Sequence, residues 1–238
     1  MAREKHRDAL RETAKVQSAG LQKIEKEREM ETRRIKVTLT DEMLGTNPRA
    51  DIHERFISSN APDAETRAEE LEHLPKDEMV KNEMTVFYRD DDGNPSMACY
   101  HMYGFFKSAC GFLRKVKGTK SEKLKAYKKA IDGLIKVYPD RSDPTGRYLT
   151  LHMPDGSEIG NCQRPLRAQT MQGERVALAN SETVPAGTWF ECDVCVWDDN
   201  LWDTVEEWLN YGEFNGLGQW RSSGKGSFVW EYVVEEEK

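Results

Sequence analysis

The sequence lacks any long apolar run, and its N-terminal segment is charged from Arg3 onward. A membrane-spanning helix requires roughly 18 or more consecutive apolar residues, so we expect no membrane partner, no secretory signal and a cytoplasmic location. Metal-ligand patterns are also scarce. Among five cysteines only Cys192 and Cys195 have suitable spacing, and they fall in a predicted strand, where residues three apart point to opposite faces. We therefore expect no metal, no cofactor and reduced cysteines.

The chain also lacks an overall positive charge, because its formal net charge is −7. This balance argues against a uniformly basic nucleic-acid binder, but the charges are unevenly distributed. Residues 41–93 are rich in acids, whereas residues 103–129 contain one acid, Glu122. The Lys and Arg residues of the second region are Lys107, Arg114, Lys115, Lys117, Lys120, Lys123, Lys125, Lys128 and Lys129. Such asymmetry indicates either a basic face for a polyanion or an ordinary solvated surface.

Glycines are concentrated in one stretch near the C-terminus, where residues 216–228 read GLGQWRSSGKGSF. The preceding apolar residues recur at helical spacing, and residues 228–234 alternate as in a strand. Glycines allow positive φ angles and leave backbone N–H groups accessible, while Arg221 and Lys225 add positive charge. The stretch therefore predicts a helix, a glycine-rich loop and a strand, with the loop open to a phosphate or to another backbone.

Two familiar phosphate loops do not match this stretch. A Walker loop has a different glycine spacing, requires Ser or Thr where Gly226 stands, and leads from a strand into a helix. The dinucleotide fingerprint requires a glycine where Arg221 stands, and it also follows a strand. A long connector without any ligand remains an alternative.

The remaining pattern predicts an α+β fold. Strands are expected at 35–39, 85–89, 97–101, 147–153 and 188–197, and helices at 105–116 and 121–135. The main elements then follow the ferredoxin-like (RRM-like) order on an antiparallel sheet with helices on one face. We expect a charged helical N-terminal extension at 1–33 and one domain at 34–238, with an acidic insertion at about 45–83 and a loop-rich hairpin insertion at about 157–183.

Two groups of cations are placed to meet a polyanion. Lys107 and Arg114 share one outward stripe of the helix predicted at 105–116, and Gly111 keeps that stripe open. Arg164, Arg167 and Arg175 lie among hydrogen-bonding side chains in the predicted hairpin. Such mixtures suit contacts with a nucleic-acid backbone, and they equally suit an exposed hairpin.

The glycine-rich stretch closely resembles the C-terminal signature of the RAMP superfamily, the repeat-associated CRISPR proteins. Residues 103–114 resemble the first helix of that family, and residues 184–191 resemble the segment that leads into its penultimate strand. The resemblance extends over about 35–234. The extension at 1–33 and the acidic insertion have no matching counterpart. A single ferredoxin-like unit is most similar to the branch whose members multimerise as the backbone of a complex.

This resemblance implies a subunit that binds single-stranded RNA, often a guide, or single-stranded DNA in a multi-subunit ribonucleoprotein or homo-oligomer. It implies that Trp220 stacks on a base and that Lys107 and Arg114 are positive partners of the strand. The residues it implies as a phosphate cradle are Gly216, Gly218, Arg221, Gly224, Lys225 and Gly226. Together with Lys115, Lys117, Arg164, Arg167 and Arg175, these form the candidate nucleic-acid-binding set.

Catalysis is a second hypothesis. The repeat-processing branch of the family cleaves RNA without metal through a histidine, whose pKa suits general base catalysis near neutral pH. His101, just before the predicted first helix, is the best-placed candidate, although no Ser or Tyr partner is fixed by spacing. A third hypothesis is a protein-interaction module that binds partners through its acidic insertion and charged N-terminal extension.

Overall fold

The computed structural model describes residues 31–48, 84–90, 92–143, 145–170 and 173–234. Most of the predicted N-terminal extension and of the acidic insertion lies outside these residues. The described part is α+β, with sheets that are antiparallel except for one short parallel pair. Its strands are β1 (Glu31–Leu39), β2 (Met43–Leu44), β3 (Asn47–Pro48), β4 (Met84–Val86), β5 (Tyr88–Arg89), β6 (Pro95–Ala98), β7 (Ile135–Tyr138), β8 (Tyr148–Thr150), β9 (Gly160–Thr170), β10 (Gly173–Val184), β11 (Trp189–Val196) and β12 (Phe228–Tyr232). Its α-helices are α1 (Tyr100–Leu113), α2 (Tyr127–Leu134) and α3 (Trp202–Asn210).

The main sheet has four strands in the order β12-β1-β11-β7, and each pair is antiparallel. Alternation in β1 buries Ile35, Val37 and Leu39 on one face, which α1 and α3 cover. The ring centroids of Phe105 and Phe228 lie 5.0 Å apart, which joins helix α1 to strand β12. The apolar faces of the helices and the sheet thus form one shared core.

Two smaller sheets lie beside the main one. The first contains β2, β10, β4 and β3, with β9 paired to β10 along its full length. The second contains β5, β6 and β8. The stretch predicted to be loop-rich at 157–183 therefore forms the long hairpin β9–β10.

Three sequence predictions differ from the structure. Residues 121–135 do not form one helix, because a 3₁₀ turn at Ser121–Lys123 is separated from α2 by Ala126, whose φ is +49°. The chain then extends at Ile135, where β7 supplies the edge strand of the main sheet. The strand predicted at 147–153 is shorter, and it pairs with β6 in the small sheet and not with a strand of the main sheet. Helix α1 also begins at Tyr100, five residues earlier than expected.

Candidate nucleic-acid interface

The loop between α3 and β12 is closed on itself. The amide of Leu217 donates to the carbonyl of Gly226 at 2.9 Å, and the amide of Gly226 donates to the carbonyl of Glu42 at 2.8 Å. These bonds join the two limbs of the loop and fasten it to the segment that follows β1. The amide of Gly226 is therefore not available to a phosphate.

Three of the loop glycines are required for this packing. A Cβ atom on Gly216 would overlap the backbone of Gly226, and one on Gly226 would overlap the carbonyl of Leu217. A Cβ on Gly218 would lie 2.7 Å from the carbonyl oxygen of Leu44. These glycines admit the protein's own backbone, which differs from the expectation of an uncovered cradle. Gly224 is the exception, since a Cβ there would make only an ordinary contact, 3.8 Å from a carboxylate oxygen of Asp41.

Lys225 is neutralised within the protein. Its Nζ lies 3.1 Å from a carboxylate oxygen of Asp41 and 2.9 Å from one of Glu42, and its side chain is 21% exposed. The hydrogen bond to Glu42 is the main cause that raises the pKa of Lys225. Because two carboxylates share this cation, we assign it to fastening the loop and not to an anion.

The aromatic residue at the tip of the same loop has an unusual backbone conformation. Trp220 has φ 56° and ψ 34°, in the left-handed region, and it is 39% exposed. Bulky residues other than glycine rarely adopt this region, which costs roughly 1–2 kcal/mol. The next residue, Arg221, is partly exposed, and no carboxylate among the described residues lies within ion-pair distance of it.

Gln219 fastens this tip to the base of the β9–β10 hairpin. Its Nε2 donates to the carbonyl of Gly45 at 2.9 Å and to Oγ1 of Thr85 at 3.2 Å. Its Oε1 accepts from Nη2 of Arg164 at 2.5 Å. Sequence spacing offers no signal for this role, because the partners come from three distant segments.

Arg164 is thereby placed against Trp220. Its guanidinium carbon lies 5.6 Å from the centroid of the indole ring, which is within the range of a cation–π contact. Arg164 is 9% exposed, and its Nε is buried with no hydrogen-bond partner among the described residues. Arg167 and Arg175 lie further along the hairpin, paired with Val176 and Ala168 respectively. Their side chains lie outside the described part of the structure.

The predicted cations of α1 divide into two groups. Lys107 forms an ion pair with Asp132 at 2.5 Å, so its charge is compensated. Arg114, Lys115 and Lys117 follow the C-terminal end of the helix and are exposed. The guanidinium of Arg114 lies 5.1 Å from the ring of Tyr127. Since a helix rises about 1.5 Å per residue, these three cations lie about 20 Å along α1 from its first turn.

His101 occupies that first turn in a confined site. Its Nε2 lies 3.0 Å from Oγ1 of Thr46, and its ring stacks on Tyr100 with centroids 4.3 Å apart. Burial lowers the pKa of His101. The adjoining cavity, which also contacts Gly218, has a volume of about 10 Å³, which holds one water molecule. This site gives no support to RNA cleavage by His101.

The face of the main sheet opposite the helices is not cationic overall. Arg34 pairs with Glu191 at 3.0 Å and with Asp193 at 3.3 Å. Lys36 lies 3.9 Å from Glu231 and over the ring of Trp189. Three acids therefore compensate the cations of this face.

Other site classes find no match in the part of the chain that the structure describes. It contains no group of three or more His, Cys, Asp or Glu side chains placed to hold a metal. Cys192 and Cys195 are both buried free thiols on β11, and burial raises the pKa of each. No helix among the described residues is long and apolar enough to cross a membrane.

No protein-family model matches this chain, and no curated protein matches it. Two similar solved structures are chains of CRISPR complexes. In the cryo-EM structure of the type III-B Cmr-beta complex bound to cognate target RNA, a chain is 9% identical with a TM-score of 0.45; the match covers 94% of this protein and 66% of that chain, slightly under two thirds. In a type IV-B CRISPR complex, a chain is 10% identical with a TM-score of 0.40, and the match covers 87% of this protein and 92% of that chain. Similarity at these TM-scores is too low to establish a shared function.

Proposed function

We propose that this protein binds single-stranded nucleic acid, RNA in the first instance, and that Trp220 is a stacking platform for one base. The observation that carries the proposal is the strained, partly exposed Trp220 with Arg164 over its ring. Strained residues that the surrounding structure holds in place are concentrated at functional sites. Stacking on an aromatic ring is the usual, sequence-tolerant way to hold an unpaired base.

The charges around Trp220 suit a strand and not a neutral ligand. Arg221 is adjacent in the chain and lacks a described carboxylate partner. The Nε of Arg164 is a buried donor that also lacks a described partner, and an unpaired buried donor carries a free-energy cost that an incoming acceptor would remove. A phosphate or a base edge supplies such an acceptor. We propose Arg221 and Arg164 as the polar contacts of the site.

We also propose membership of the RAMP superfamily with a ferredoxin-like core. The supporting observation is the strand order β12-β1-β11-β7, with elements running β1, α1, β7, β11, α3, β12 along the chain. Numbered along the chain, these strands lie in the order 4-1-3-2, as in a split βαβ arrangement. The position of the glycine-rich loop between α3 and the last strand agrees with the sequence resemblance.

Assembly with further subunits or copies is part of the same proposal. In the described sheet, β12 is an edge strand that pairs with β1 alone. It exposes Val229 by 42% and Tyr232 by 37%, and Val234 beyond it by 83%. An edge strand with exposed apolar side chains favours contact with another chain.

Binding across a salt series tests the proposed function. Fluorescently labelled single-stranded RNA, single-stranded DNA and duplex RNA are titrated with the protein at several salt concentrations. We expect single strands to bind more tightly than duplex, with affinity that falls steeply as salt rises. The double variant Lys115→Ser, Lys117→Ser should make the plot of log affinity against log salt concentration shallower by about 1.4. Each phosphate contact on a single strand contributes about 0.7 to that slope.

Lys107→Ser is the matched control for that double variant, because Lys107 is already paired with Asp132. It should leave the slope unchanged. Affinity that is independent of salt for every nucleic acid would contradict the proposed function.

A further inference from the structure

A second concave site lies between the edge strand β7 and the small sheet of β5, β6 and β8. Its volume is about 400 Å³, which lies in the usual range for small-ligand sites. The first turn of α1 also lines it, through Tyr100 and Tyr103. Three separate elements therefore enclose this site, here called the tyrosine cavity.

Tyrosine dominates its lining, with five tyrosine side chains: Tyr88, Tyr100, Tyr103, Tyr138 and Tyr148. The rings of Tyr88 and Tyr148 lie 4.7 Å apart at an angle of 58°. The hydroxyl of Tyr103 accepts a hydrogen bond from the amide of Val137 at 2.9 Å, which fixes that ring against β7. Tyr100 and Tyr148 remain 57% and 48% exposed. The cavity therefore has a fixed aromatic wall and two rings open to solvent.

Its charged lining is entirely cationic. Lys136 and Arg147 line the cavity, and none of the described lining residues is acidic. Lys136 is exposed on β7, and no carboxylate among the described residues is paired with it. Burial is the main cause that raises the pKa of Tyr88, and Tyr100 and Tyr148 raise it further.

Flat aromatic surfaces, phenol groups and Lys136, a cation with no described carboxylate partner, match the three parts of a nucleotide. The rings stack on a base, the phenols reach polar groups on its edge, and the cation meets a phosphate. A neutral apolar ligand would leave Lys136 without a partner, and Lys136 would repel a cationic ligand. The size limits the occupant to about one nucleotide unit.

We propose that the tyrosine cavity binds one nucleotide unit, with its base against the exposed rings of Tyr100 and Tyr148 and its phosphate at Lys136. That unit comes from one of two sources. It is either a nucleotide splayed out of the bound single strand, in which case the inference rests on the proposed function, or a free mononucleotide. The first turn of α1 connects the two sites. Tyr100 lines the tyrosine cavity, while its stacked neighbour His101 lines the small cavity beside Gly218.

Cross-linking tests the strand-bound source. A single-stranded oligonucleotide containing bromouridine is irradiated with the full-length protein, and the adducts are mapped by mass spectrometry. We expect adducts on peptides that contain Tyr100 or Tyr148. The double variant Tyr100→Ala, Tyr148→Ala should lose them and bind the strand at least about fivefold more weakly.

Two control variants separate stacking and charge from general damage. Tyr148→Phe keeps the ring and should keep the adduct. Lys136→Ala should weaken binding, whereas Lys129→Ala, at an exposed lysine of α2, should weaken it less. Each variant is first checked for an unchanged thermal unfolding midpoint. Tyr100→Leu with Tyr148→Leu, which also removes both rings, replaces the alanine double variant if that variant fails this check.

Titration with uridine monophosphate tests the free source, in wild type and in the double variant. Saturable binding of uridine monophosphate that the double variant loses supports the cavity as a nucleotide site. If no strand binds in the same experiments, the proposed function alone is overturned. Normal strand binding, with no adduct at either tyrosine and no mononucleotide binding, would overturn the cavity while the proposed function stands. Failure in both arms would overturn both.

Discussion

The guanidinium carbon of Arg164 lies 5.6 Å from the centre of the Trp220 ring, which joins strand β9 to the loop before β12. The same guanidinium donates to Gln219, so the ring and its neighbour are held by one side chain. A glycine-rich loop and an arginine-bearing hairpin, separated by about 50 residues of sequence, thus form one surface. The proposed stacking site depends on this arrangement.

A double-mutant cycle measures the contact between these two residues. We expect Arg164→Leu and Trp220→Ala, alone and combined, to give a coupling of about 0.5–2 kcal/mol in the free energy of unfolding, because Trp220 is partly exposed and Arg164 is buried. Urea unfolding of the four proteins provides the values. Strictly additive effects would show that the two side chains do not interact.

The loop glycines should matter for folding before they matter for binding. Gly226→Ala should destabilise the protein by about 2–5 kcal/mol, because it adds backbone overlap with Leu217 to the strain of its φ of +71°. Gly118→Ala is the matched control, since Gly118 has φ +86° and open space around it. The control should cost only the strain, about 1–2 kcal/mol. Thermal or urea unfolding compares the two, and equal losses would contradict the packed loop.

Lys225→Ala should lower stability and leave strand affinity unchanged. The loss should be about 1 kcal/mol or less, because both ion pairs are partly exposed. In a background of Asp41→Asn and Glu42→Gln, the same substitution should cost nothing. The raised pKa of Lys225 means that the stabilisation is complete below the ordinary lysine pKa and is lost as pH rises through the folded-state value. Weaker strand binding at unchanged stability would return Lys225 to the binding site.

His101 should make the protein sensitive to mild acid. Its pKa is lowered by burial, so the unfolded chain binds a proton that the folded chain resists. Stability present above the ordinary histidine pKa of about 6.5 should fall as pH decreases through that value. Urea unfolding at a series of pH values should show a smaller fall for His101→Gln than for wild type. His152→Gln, at an exposed histidine, controls for the loss of one imidazole. A fall in stability for His101→Gln as large as the fall for wild type would contradict the buried site.

The sequence predicts the strongly periodic elements well. Alternation identifies β1, β11 and β12, and helical spacing identifies α3 and most of α1. It misses β7, because Ile135 also continues the apolar stripe of the preceding helix, and local spacing cannot separate the two readings. Only pairing with β11 decides that Ile135–Tyr138 is a strand, and that pairing is a tertiary contact.

The candidate site is predicted less completely, for a physical reason. Glycine permits the close approach of any group, and spacing does not reveal that the group at Gly216 and Gly226 is the protein's own backbone. Charge at Lys225 likewise appears free in the sequence, since its partner Asp41 lies 184 positions away. The sequence predicts Trp220 and Arg221 as candidates, from the family resemblance and from charge. It does not predict Gln219, which fastens them to Arg164.

The most direct measurement compares the affinity of one labelled single-stranded RNA for wild type, Trp220→Ala and Trp197→Ala at a fixed salt concentration. Trp197 is the matched control, because it is a 56% exposed tryptophan at the end of β11. Stacking on one base predicts that Trp220→Ala weakens binding about 5- to 150-fold, while Trp197→Ala binds like wild type. Equal affinity of Trp220→Ala and wild type, with both proteins folded, would contradict the central claim.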